Sequence, residues 1–316
     1  MTSSPDSSPI TSPCLYLVDS SIYIFRAYFS MPDRFFDSKE RPINAVYGFT
    51  HFLLDLLLHS DLQQDFVGLA FDESLDTGFR HQLYPDYKAN RALPDEDLAY
   101  QLQLCYELAE GLGLYCVASE EYEADDLIAS MHQKFALGKR YQGKLANCCI
   151  VTRDKDLAQL IQGSDQLWDF AKNEFWSQQA LTETWGFSTE FISDFLAIAG
   201  DSVDNIPGVP GVGKKTATEL IARFSGIDRL YQEIDDIAAL KGLRGASKLQ
   251  EKLQNYESEV RLYHQLTQLA SKAPLSGGLS SLKLSTNLDL DWLEKKLEKI
   301  GIRRGFAKKL KLLSSA

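Results

Sequence analysis

Three short apolar segments of this 316-residue chain each end at an aspartate, and that pattern limits the possible folds more than any other. The segments are CLYLV before Asp19, FVGLAF before Asp72 and CCIVTR before Asp154. Continuous apolar runs separated by long helical stretches are typical of parallel strands that are buried on both faces of a sheet. Ligands of such sheets gather at the carboxyl ends of the strands, which is where these aspartates fall.

The segments between these strands have helical periodicity and complete an α/β pattern. The predicted helices are 44–59, 96–112 and 124–137, and the further predicted strands are 114–118 and 166–170. This alternation predicts a mainly parallel central sheet flanked by helices, over residues 14–185. Beyond residue 185 the strand signal fades, so residues 186–316 are predicted to be mostly α-helical, with a Ser/Gly-rich link near 275–281.

The composition is that of an ordinary globular protein, with 44% hydrophobic and 24% charged residues. No apolar run approaches the roughly 18 residues that a membrane span needs. The Ser/Pro/Thr-rich residues 1–13 contain no Lys or Arg and predict a disordered leader, not a secretory signal or a transit peptide. The five cysteines form no CxxC pair and the five histidines form no cluster, so we expect no zinc site and a reducing, cytoplasmic setting.

Two further acidic groups stand at or near the starts of predicted helices. YEADDLIAS places Glu123, Asp125 and Asp126 in a first turn, with Glu123 and Asp126 on one face. Such acids have a second interpretation, because they also complement the positive end of a helix. VTRDKDLAQLI places Asp154 and Asp156 in a loop after a predicted strand, where a single aspartate is usually an N-cap. Two aspartates at this spacing favour a functional role.

The segment GDSVDNIPGVPGVGKKTATELI adds two more acids and brings the candidate metal ligands to nine. The nine are Asp19, Asp72, Glu123, Asp125, Asp126, Asp154, Asp156, Asp201 and Asp204. Carboxylates gathered at one cleft repel one another unless cations are present, and Mg²⁺ or Mn²⁺ with oxygen ligands is the natural counter-charge. Two such ions about 4 Å apart would activate a water and stabilise the leaving oxygen of a phosphodiester.

The acidic net charge of −11 argues against a nucleic acid partner only if the acids are spread over the surface. Setting the nine candidates aside leaves the rest of the chain at −2, because the whole chain carries −11. The charge objection to a nucleic acid partner then largely disappears.

Basic and aromatic residues alternate in FRHQLYPDYKANRALP, which follows soon after Asp72. Arg80, Lys88 and Arg91 could neutralise phosphates, and aromatic rings such as Tyr87 could stack on exposed bases. The alternative interpretation is a solvated helix whose aromatic residues pack on the core. We favour the functional interpretation, because the segment follows a proposed metal ligand.

The stretch PGVPGVGKKTA predicts a helix–hairpin–helix, which grips the backbone of a duplex without reading its sequence. Its glycines allow tight turns and close approach of a partner. The helix that starts at Lys214 offers free N–H groups beside two lysines, an anion site for a backbone phosphate. The candidate DNA-binding residues are Tyr87, Gly211, Val212, Gly213, Lys214, Lys215 and Thr216.

These motifs resemble the 5′ nuclease (flap endonuclease) family, most closely the 5′→3′ exonuclease domain of bacterial DNA polymerase I. The matching blocks cover roughly residues 14 to 310, and they include LYLVDSSIYIFRAYF, FDESLDTGFRHQLYPDYKANR, YEADDLIAS, VTRDKDLAQLI and GDSVDNIPGVPGVGKKTA. The resemblance implies a PIN-like core and a metal-dependent nuclease that cuts 5′ flaps and 5′ ends of DNA, and RNA primers on DNA, in replication and repair.

The resemblance also implies roles for particular residues. The nine carboxylates would bind two or more Mg²⁺ or Mn²⁺ ions, and Lys88 would reach the scissile phosphate with help from Arg26, Arg80 and Arg91. Residues 79–100 would form an arch over a single-stranded 5′ end, and a helix–three-turn–helix at 192–221 would hold the downstream duplex. A K⁺ ion there would bind the backbone carbonyls of Ile198, Ala199, Pro207, Val209 and Val212.

The chain departs from the polymerase pattern, since no polymerase domain follows, so we expect a stand-alone monomeric nuclease of the exonuclease IX type. Such relatives commonly lack several of the carboxylates, whereas all are present here, which favours an active enzyme. Ser20 stands where the family often has glycine, a change of small expected effect. Two alternatives stay open: a non-catalytic, structure-specific DNA-binding protein on the same fold, and a PIN-type ribonuclease, whose domains are usually shorter and lack the hairpin.

Overall fold

The structure is a computed structural model, and it describes most of the chain. The described residues are 14–32, 34–59, 66–73, 77–91, 93–136, 140–141, 144–145, 147–240, 245–284 and 288–315. The leader predicted at 1–13 lies outside them.

A six-stranded sheet forms the centre of the described chain. The described residues contain eight strands, six of which form this sheet. They are β1 (Cys14–Asp19), β2 (Phe66–Asp72), β3 (Tyr115–Ser119), β4 (Arg140–Tyr141), β5 (Lys144–Leu145), β6 (Asn147–Val151), β7 (Gln166–Asp169) and β8 (Glu174–Ser177). The order across the sheet is β3-β2-β1-β6-β7-β8, while β4 and β5 pair separately. All neighbours in the sheet are parallel except β7 and β8. The predicted mainly parallel α/β fold is confirmed.

Helices cover both faces of this sheet. They are α1 (Ser20–Ser30), α2 (Asn44–Leu57), α3 (Phe79–Leu83), α4 (Glu96–Gly111), α5 (Ala124–Met131), α6 (Gln178–Trp185), α7 (Ile192–Ala199), α8 (Lys214–Phe224), α9 (Ile227–Gln232), α10 (Ala246–Asn255), α11 (Glu257–Thr267), α12 (Leu290–Lys299) and α13 (Ala307–Leu313). None of the helices in the described ranges combines the length and the apolar character that crossing a membrane requires.

The central strand β1 separates two hydrophobic cores. Leu15 and Leu17 point into a core shared with α5, α7, α8 and α11, while Tyr16 and Val18 point into a core shared with α1, α2 and α4. Successive side chains of a strand alternate between faces, so a run of apolar residues fills both cores at once. The continuous apolar pattern of CLYLV is therefore explained, and the first core joins the sheet to the C-terminal helices.

The C-terminal helices divide into two groups, although the sequence analysis treats residues 186–316 as one helical region. Helices α7 to α11 pack on the first core, whereas Leu293, Leu297 and Leu310 of α12 and α13 lie in the second core, beside α4 and α2. An ion pair of 2.9 Å joins Lys296 of α12 to Glu107 of α4. The last two helices thus close the face of the sheet that lies opposite the hairpin.

Candidate functional site

A cleft of about 850 Å³ opens at the carboxyl ends of the central strands. It is lined by eight of the nine predicted carboxylates, namely Asp19, Asp72, Glu123, Asp125, Asp154, Asp156, Asp201 and Asp204. They come from the ends of β1 and β2, the start of α5, the loop after β6 and the loop after α7. The parallel register brings these chain positions to one edge of the sheet, as the strand pattern predicts.

Several of these carboxylates are held in place by the backbone around them. Asp19 caps α1 by accepting from the Ile22 N–H at 3.2 Å, and it also accepts from the Thr152 hydroxyl at 2.9 Å. Asp72 accepts from the Ala124 N–H at 2.7 Å, which ties the end of β2 to the start of α5. Capping and cleft lining are therefore compatible roles, because a carboxylate oxygen that accepts one hydrogen bond still has a second lone pair.

The cleft raises the pKa of most of its carboxyl groups. Burial, followed by repulsion from Asp72, raises the pKa of Asp19 from 3.8 to about 7. Burial and repulsion from Asp154 raise the pKa of Asp156 to about 8, and the same two causes hold the pKa of Asp125 well above its usual range. The protein alone therefore supplies too little positive charge to keep all these groups ionised at neutral pH.

The arrangement of the acids suits a hydrated ion such as Mg²⁺ or Mn²⁺ better than an ion that is enclosed entirely by protein ligands. Among the described residues, no three His, Cys, Asp or Glu side chains surround one point closely enough to enclose an ion. Mg²⁺ usually keeps several waters and binds through one or two carboxylates and the phosphates of a substrate. An open cleft lined by buried carboxyls with raised pKa values is therefore a suitable site for such ions and a poor one for tetrahedral zinc.

Lys88 lies beside two acids of the cleft, Glu123 and Asp204. Its Nζ lies 2.6 Å from Glu123 Oε1 and 4.0 Å from Asp204 Oδ1. Burial opposes the charge of Lys88, but the two carboxylates outweigh it and raise the pKa of the ammonium. In the same way, Lys88 and Arg80 overcome the effect of burial and lower the pKa of Glu123. Arg91, which is half exposed, contacts Asp204 at 2.6 Å.

Asp126 does not line the cleft, and Arg80 lies with it beneath the surface. Arg80 is 3% exposed and Asp126 is fully buried. Two contacts of 2.5 and 2.7 Å join the guanidinium to the carboxylate, and Arg80 also donates to the Leu266 carbonyl at 2.7 Å. The structure therefore gives no support to Asp126 as a metal ligand or to Arg80 as a contact to substrate, because their polar atoms bond to each other and to nearby backbone groups.

Two other predicted residues, Tyr87 and Arg26, are not among the residues that line the cleft. Tyr87 is 2% exposed, and its hydroxyl oxygen lies 3.1 Å from Glu123 Oε2 and 3.1 Å from Asp204 Oδ2, either of which can accept its one proton, so its ring is not presented to a base. Arg26 is exposed on α1 but does not line the cleft, while its neighbours Ile22 and Phe25 do.

The predicted site residues do not include the hydroxyls that orient the acids. Ser21 Oγ accepts a hydrogen bond from the Asp72 N–H at 2.8 Å, and the Thr152 hydroxyl donates to Asp19 at 2.9 Å. Both residues stand inside the motifs already quoted, two positions from a predicted ligand. Proximity to an acid is the only signal that could have indicated them.

The predicted hairpin lies beside the cleft, between α7 and α8. Gly208 has a φ of +66°, and a Cβ on it would lie 2.3 Å from the Gly200 nitrogen, so the two arms touch backbone to backbone. Lys214 and Lys215 are exposed in the first turn of α8, whose N-cap residue, Gly213, has no side chain to bond the N–H groups. Lys252 of α10 braces the tip, since its Nζ donates to the Pro210 carbonyl at 2.6 Å.

The carbonyls proposed for K⁺ belong to the same hairpin. Those of Ile198 and Val209 already accept backbone N–H groups, from Val209 and Val212, at 2.9 Å each. A carbonyl has a second lone pair, so these bonds leave room for a cation.

Comparison with known proteins gives consistent matches along the chain. Residues 14–186 match the family described as 5′-3′ exonuclease, N-terminal resolvase-like domain. Residues 187–289 match the 5′-3′ exonuclease, C-terminal SAM fold. Together the two matches cover most of the residues between the central strand and α12.

Similar proteins of two kinds are found among characterised sequences. The chain is 35% identical over 277 residues to DNA polymerase I of Rhizobium leguminosarum, covering 85% of this chain but only 26% of that protein. It is 31% identical over 262 residues to a 5′-3′ exonuclease of Buchnera aphidicola subsp. Schizaphis graminum, covering 83% of this chain and 88% of that protein.

Two solved structures share the fold. T5 5′-exonuclease, solved with divalent zinc ions, superposes with a TM-score of 0.61 at 19% identity, covering 95% of this chain and 98% of the other. The catalytic core of Rad2 in complex with DNA substrate superposes with a TM-score of 0.60 at 18% identity, covering 95% and 92%.

Proposed function

The chain belongs to the 5′-3′ exonuclease family and is a nuclease, and we propose that it uses divalent metal ions to cut DNA at 5′ flaps and 5′ ends. One observation carries the metal-dependent part: eight carboxylates share a cleft in which burial and mutual repulsion raise pKa values, with Lys88 beside them. The family supports catalysis over the non-catalytic DNA-binding alternative, and the hairpin separates the chain from a PIN-type ribonuclease.

The residues would divide the work by position. Asp19, Asp72, Asp125, Asp154 and Asp156 would hold the metal ions with waters, and Asp201 and Asp204 would complete the site at the hairpin side. Bound divalent ions supply a water of lowered pKa and a positive charge for the leaving oxygen. Lys88 would donate to the non-bridging oxygens of the scissile phosphate, and Arg91 would add positive charge at the rim.

The hairpin would hold the duplex part of the substrate. Lys214 and Lys215, with the free N–H groups of the first turn of α8, form an anion site for a backbone phosphate. The protein backbone would approach that phosphate closely at four neighbouring residues, Gly211, Val212, Gly213 and Thr216. We further propose Mg²⁺ as the natural ion, K⁺ at the hairpin carbonyls, activity on RNA–DNA hybrids, a monomeric state and a cytoplasmic setting.

The proposal is tested by cleavage of a 5′-labelled flap duplex in Mg²⁺. Wild type, Asp125→Asn and Lys88→Met are compared, with Asp291→Asn on the opposite face as the matched carboxylate control. We expect cuts near the flap junction, and a fall in kcat of roughly 10²- to 10³-fold for each of the first two variants, because each loses electrostatic stabilisation of the transition state. The control should cut like wild type.

Further arms address the narrower points. Replacing Mg²⁺ with EDTA should abolish cutting, and a substrate with 5′ ribonucleotides tests primer removal. If wild type binds the flap tightly but cuts nothing in Mg²⁺ or Mn²⁺, the proposed metal-dependent cleavage is wrong.

A further inference from the structure

The turn that carries Lys88 is bonded to the loop that carries Asp204. We name residues 86–91 the lysine turn and residues 202–205 the aspartate loop. The Lys88 N–H donates to the Asp204 carbonyl at 3.0 Å, and Arg91 Nη2 donates to Asp204 Oδ1 at 2.6 Å. These contacts join residues more than a hundred positions apart in sequence, and they fix the edge of the cleft where Lys88 approaches the acids.

Two asparagines make this connection reciprocal. Asn90 of the lysine turn donates through Nδ2 to the Ser202 carbonyl at 2.9 Å. Asn205 of the aspartate loop donates through Nδ2 to the Asp86 carbonyl at 2.7 Å. Each amide bonds to main chain, so each one sets the position of a backbone segment and not of one side chain. Two such bonds in opposite directions hold the two segments in register.

The backbone of the lysine turn needs this support. Lys88 has a φ of +53° and Asn205 a φ of +58°, both in the left-handed region. Asparagine enters that region readily, whereas an ordinary side chain pays roughly 1–2 kcal/mol there. Such conformations persist only where the surroundings hold them. In the observed conformation, Lys88 Nζ lies 2.6 Å from Glu123 Oε1.

We propose that Asn90 and Asn205 form a clamp that keeps Lys88 in its left-handed conformation and so positions its ammonium over the acidic cluster. The two asparagines are positioning residues, because they act through the backbone of Lys88. This inference rests on the proposed role of Lys88 in cleavage. Since the aspartate loop leads directly into the hairpin, the clamp also ties the catalytic lysine to the element that would hold the duplex.

The test uses Asn90→Ala and Asn205→Gly in the full chain. Glycine keeps the left-handed backbone and removes only the amide, so Asn205→Gly isolates the hydrogen bond. Asn173→Gly is the matched control, because Asn173 also has a positive φ, of +54°, and lies in the β7–β8 turn. Three quantities are measured: kcat and KM on the flap duplex, and the hydrogen exchange rate of the Lys88 amide by NMR without DNA.

We expect kcat to fall roughly 2- to 13-fold in each clamp variant, the factor that one lost hydrogen bond brings, with KM near the wild-type value. Exchange of the Lys88 amide should become faster in both variants and stay unchanged in Asn173→Gly. In a Lys88→Met background, removing either asparagine should no longer lower kcat, since residues that act through one another are not additive.

The outcomes separate the clamp from the proposed function. If wild type does not cut DNA but the Lys88 amide exchanges faster in the variants, the proposed function fails and the clamp stands. If the variants match wild type in amide exchange and in kcat, the clamp is wrong. An equal loss of kcat with and without Lys88 also overturns it, because the asparagines would then act by another route.

Discussion

At the scale of single residues, Arg80 and Asp126 give the sharpest stability prediction. The pair is buried, and Ala270 N–H also donates to Asp126 at 2.8 Å, so the pair joins α3, α5 and the segment after α11. Asp126→Ala should lower the free energy of unfolding by roughly 3–5 kcal/mol, because it deprives the buried Arg80 charge of its closest carboxylate and leaves only Glu123, at 3.4 Å. Urea unfolding measures this loss.

The double variant Arg80→Met/Asp126→Leu serves as the control for this prediction. Removing both charges together should recover much of the stability, since replacing a whole buried pair by apolar residues is often close to neutral. If Asp126→Ala unfolds like wild type and instead weakens Mg²⁺ binding, the carboxylate belongs to the metal site after all.

The sequence could identify the acids of α5 but not their separate directions. It pairs Glu123 with Asp126 on one helical face, which is geometrically sound. In the structure, Asp126 turns back to accept the Glu123 N–H at 3.2 Å and completes a capping box, while Asp125 faces the cleft. The partner that draws Asp126 inward, Arg80, stands 46 positions earlier, and helical spacing contains nothing about it.

At the scale of elements, the hairpin depends on the contact between Gly200 and Gly208. Gly208→Ala should lower the free energy of unfolding by at least about 1–2 kcal/mol, the cost of a left-handed alanine, and should weaken duplex binding. The added methyl group would lie 2.3 Å from the Gly200 nitrogen, so the two arms must separate. Thermal unfolding and a duplex-binding titration measure the two effects.

Gly213→Ala is the matched control for stability. Gly213 has a negative φ of −88°, and a Cβ there would meet nothing within 4 Å. The melting temperature of the Gly213→Ala variant should therefore stay close to that of wild type. Equal destabilisation by the two alanines would show that the close approach of the arms has no special importance.

Element prediction succeeded where hydrophobic period and flanking residues agreed. Helix α8 begins at Lys214, as the hairpin motif predicts, and extends to Phe224. The segment ASKLQEKLQNYESEVRLYHQLTQLA has a helical period, but in the structure the helix breaks at Tyr256, between α10 and α11. The sequence does not predict strand β8, because its segment EFWS is short and contains no long apolar run. The strand lies at the edge of the sheet, where its side chains are only half-buried.

At the scale of the whole molecule, the cleft makes stability depend on pH and on metal. In the folded protein the pKa of Asp19 rises from 3.8 to about 7 and that of Asp156 to about 8. These groups keep their protons in the folded state after the unfolded chain has lost them. The stability that these two groups contribute is therefore fully present below about pH 4 and is lost as the pH rises through 7 to 8.

Mg²⁺ should restore the stability that the protein loses when the carboxyl groups of the cleft deprotonate. Melting temperatures in EDTA should fall between pH 5 and pH 8, and added Mg²⁺ should raise the melting temperature more at pH 8 than at pH 5, because the ionised cleft binds the cation. Asp156→Asn should reduce the fall in EDTA. An equal effect of Mg²⁺ at both pH values would contradict the electrostatic origin of the shifts.

The overall fold follows from the sequence more completely than the packing of its last helices. Strand ends marked by aspartates are enough to place the cleft. The apolar face of α12 predicts burial but does not say against which partner, and it packs on α4, almost two hundred positions earlier. Local patterns describe which surface of an element is buried, whereas the choice between two available cores depends on the shape of the assembled chain.

The central place of β1 has a consequence for synthesis on the ribosome. Strand β1, Cys14–Asp19, precedes both of its neighbours in the chain, since it pairs on one side with β2 and on the other with β6, Asn147–Val151. A nascent chain must hold this strand half-paired until the later segment emerges. The cleft also needs Asp201 and Asp204, so its parts are complete only after the hairpin loop has been translated. A nascent chain that ends before residue 201 therefore lacks part of the lining of the cleft.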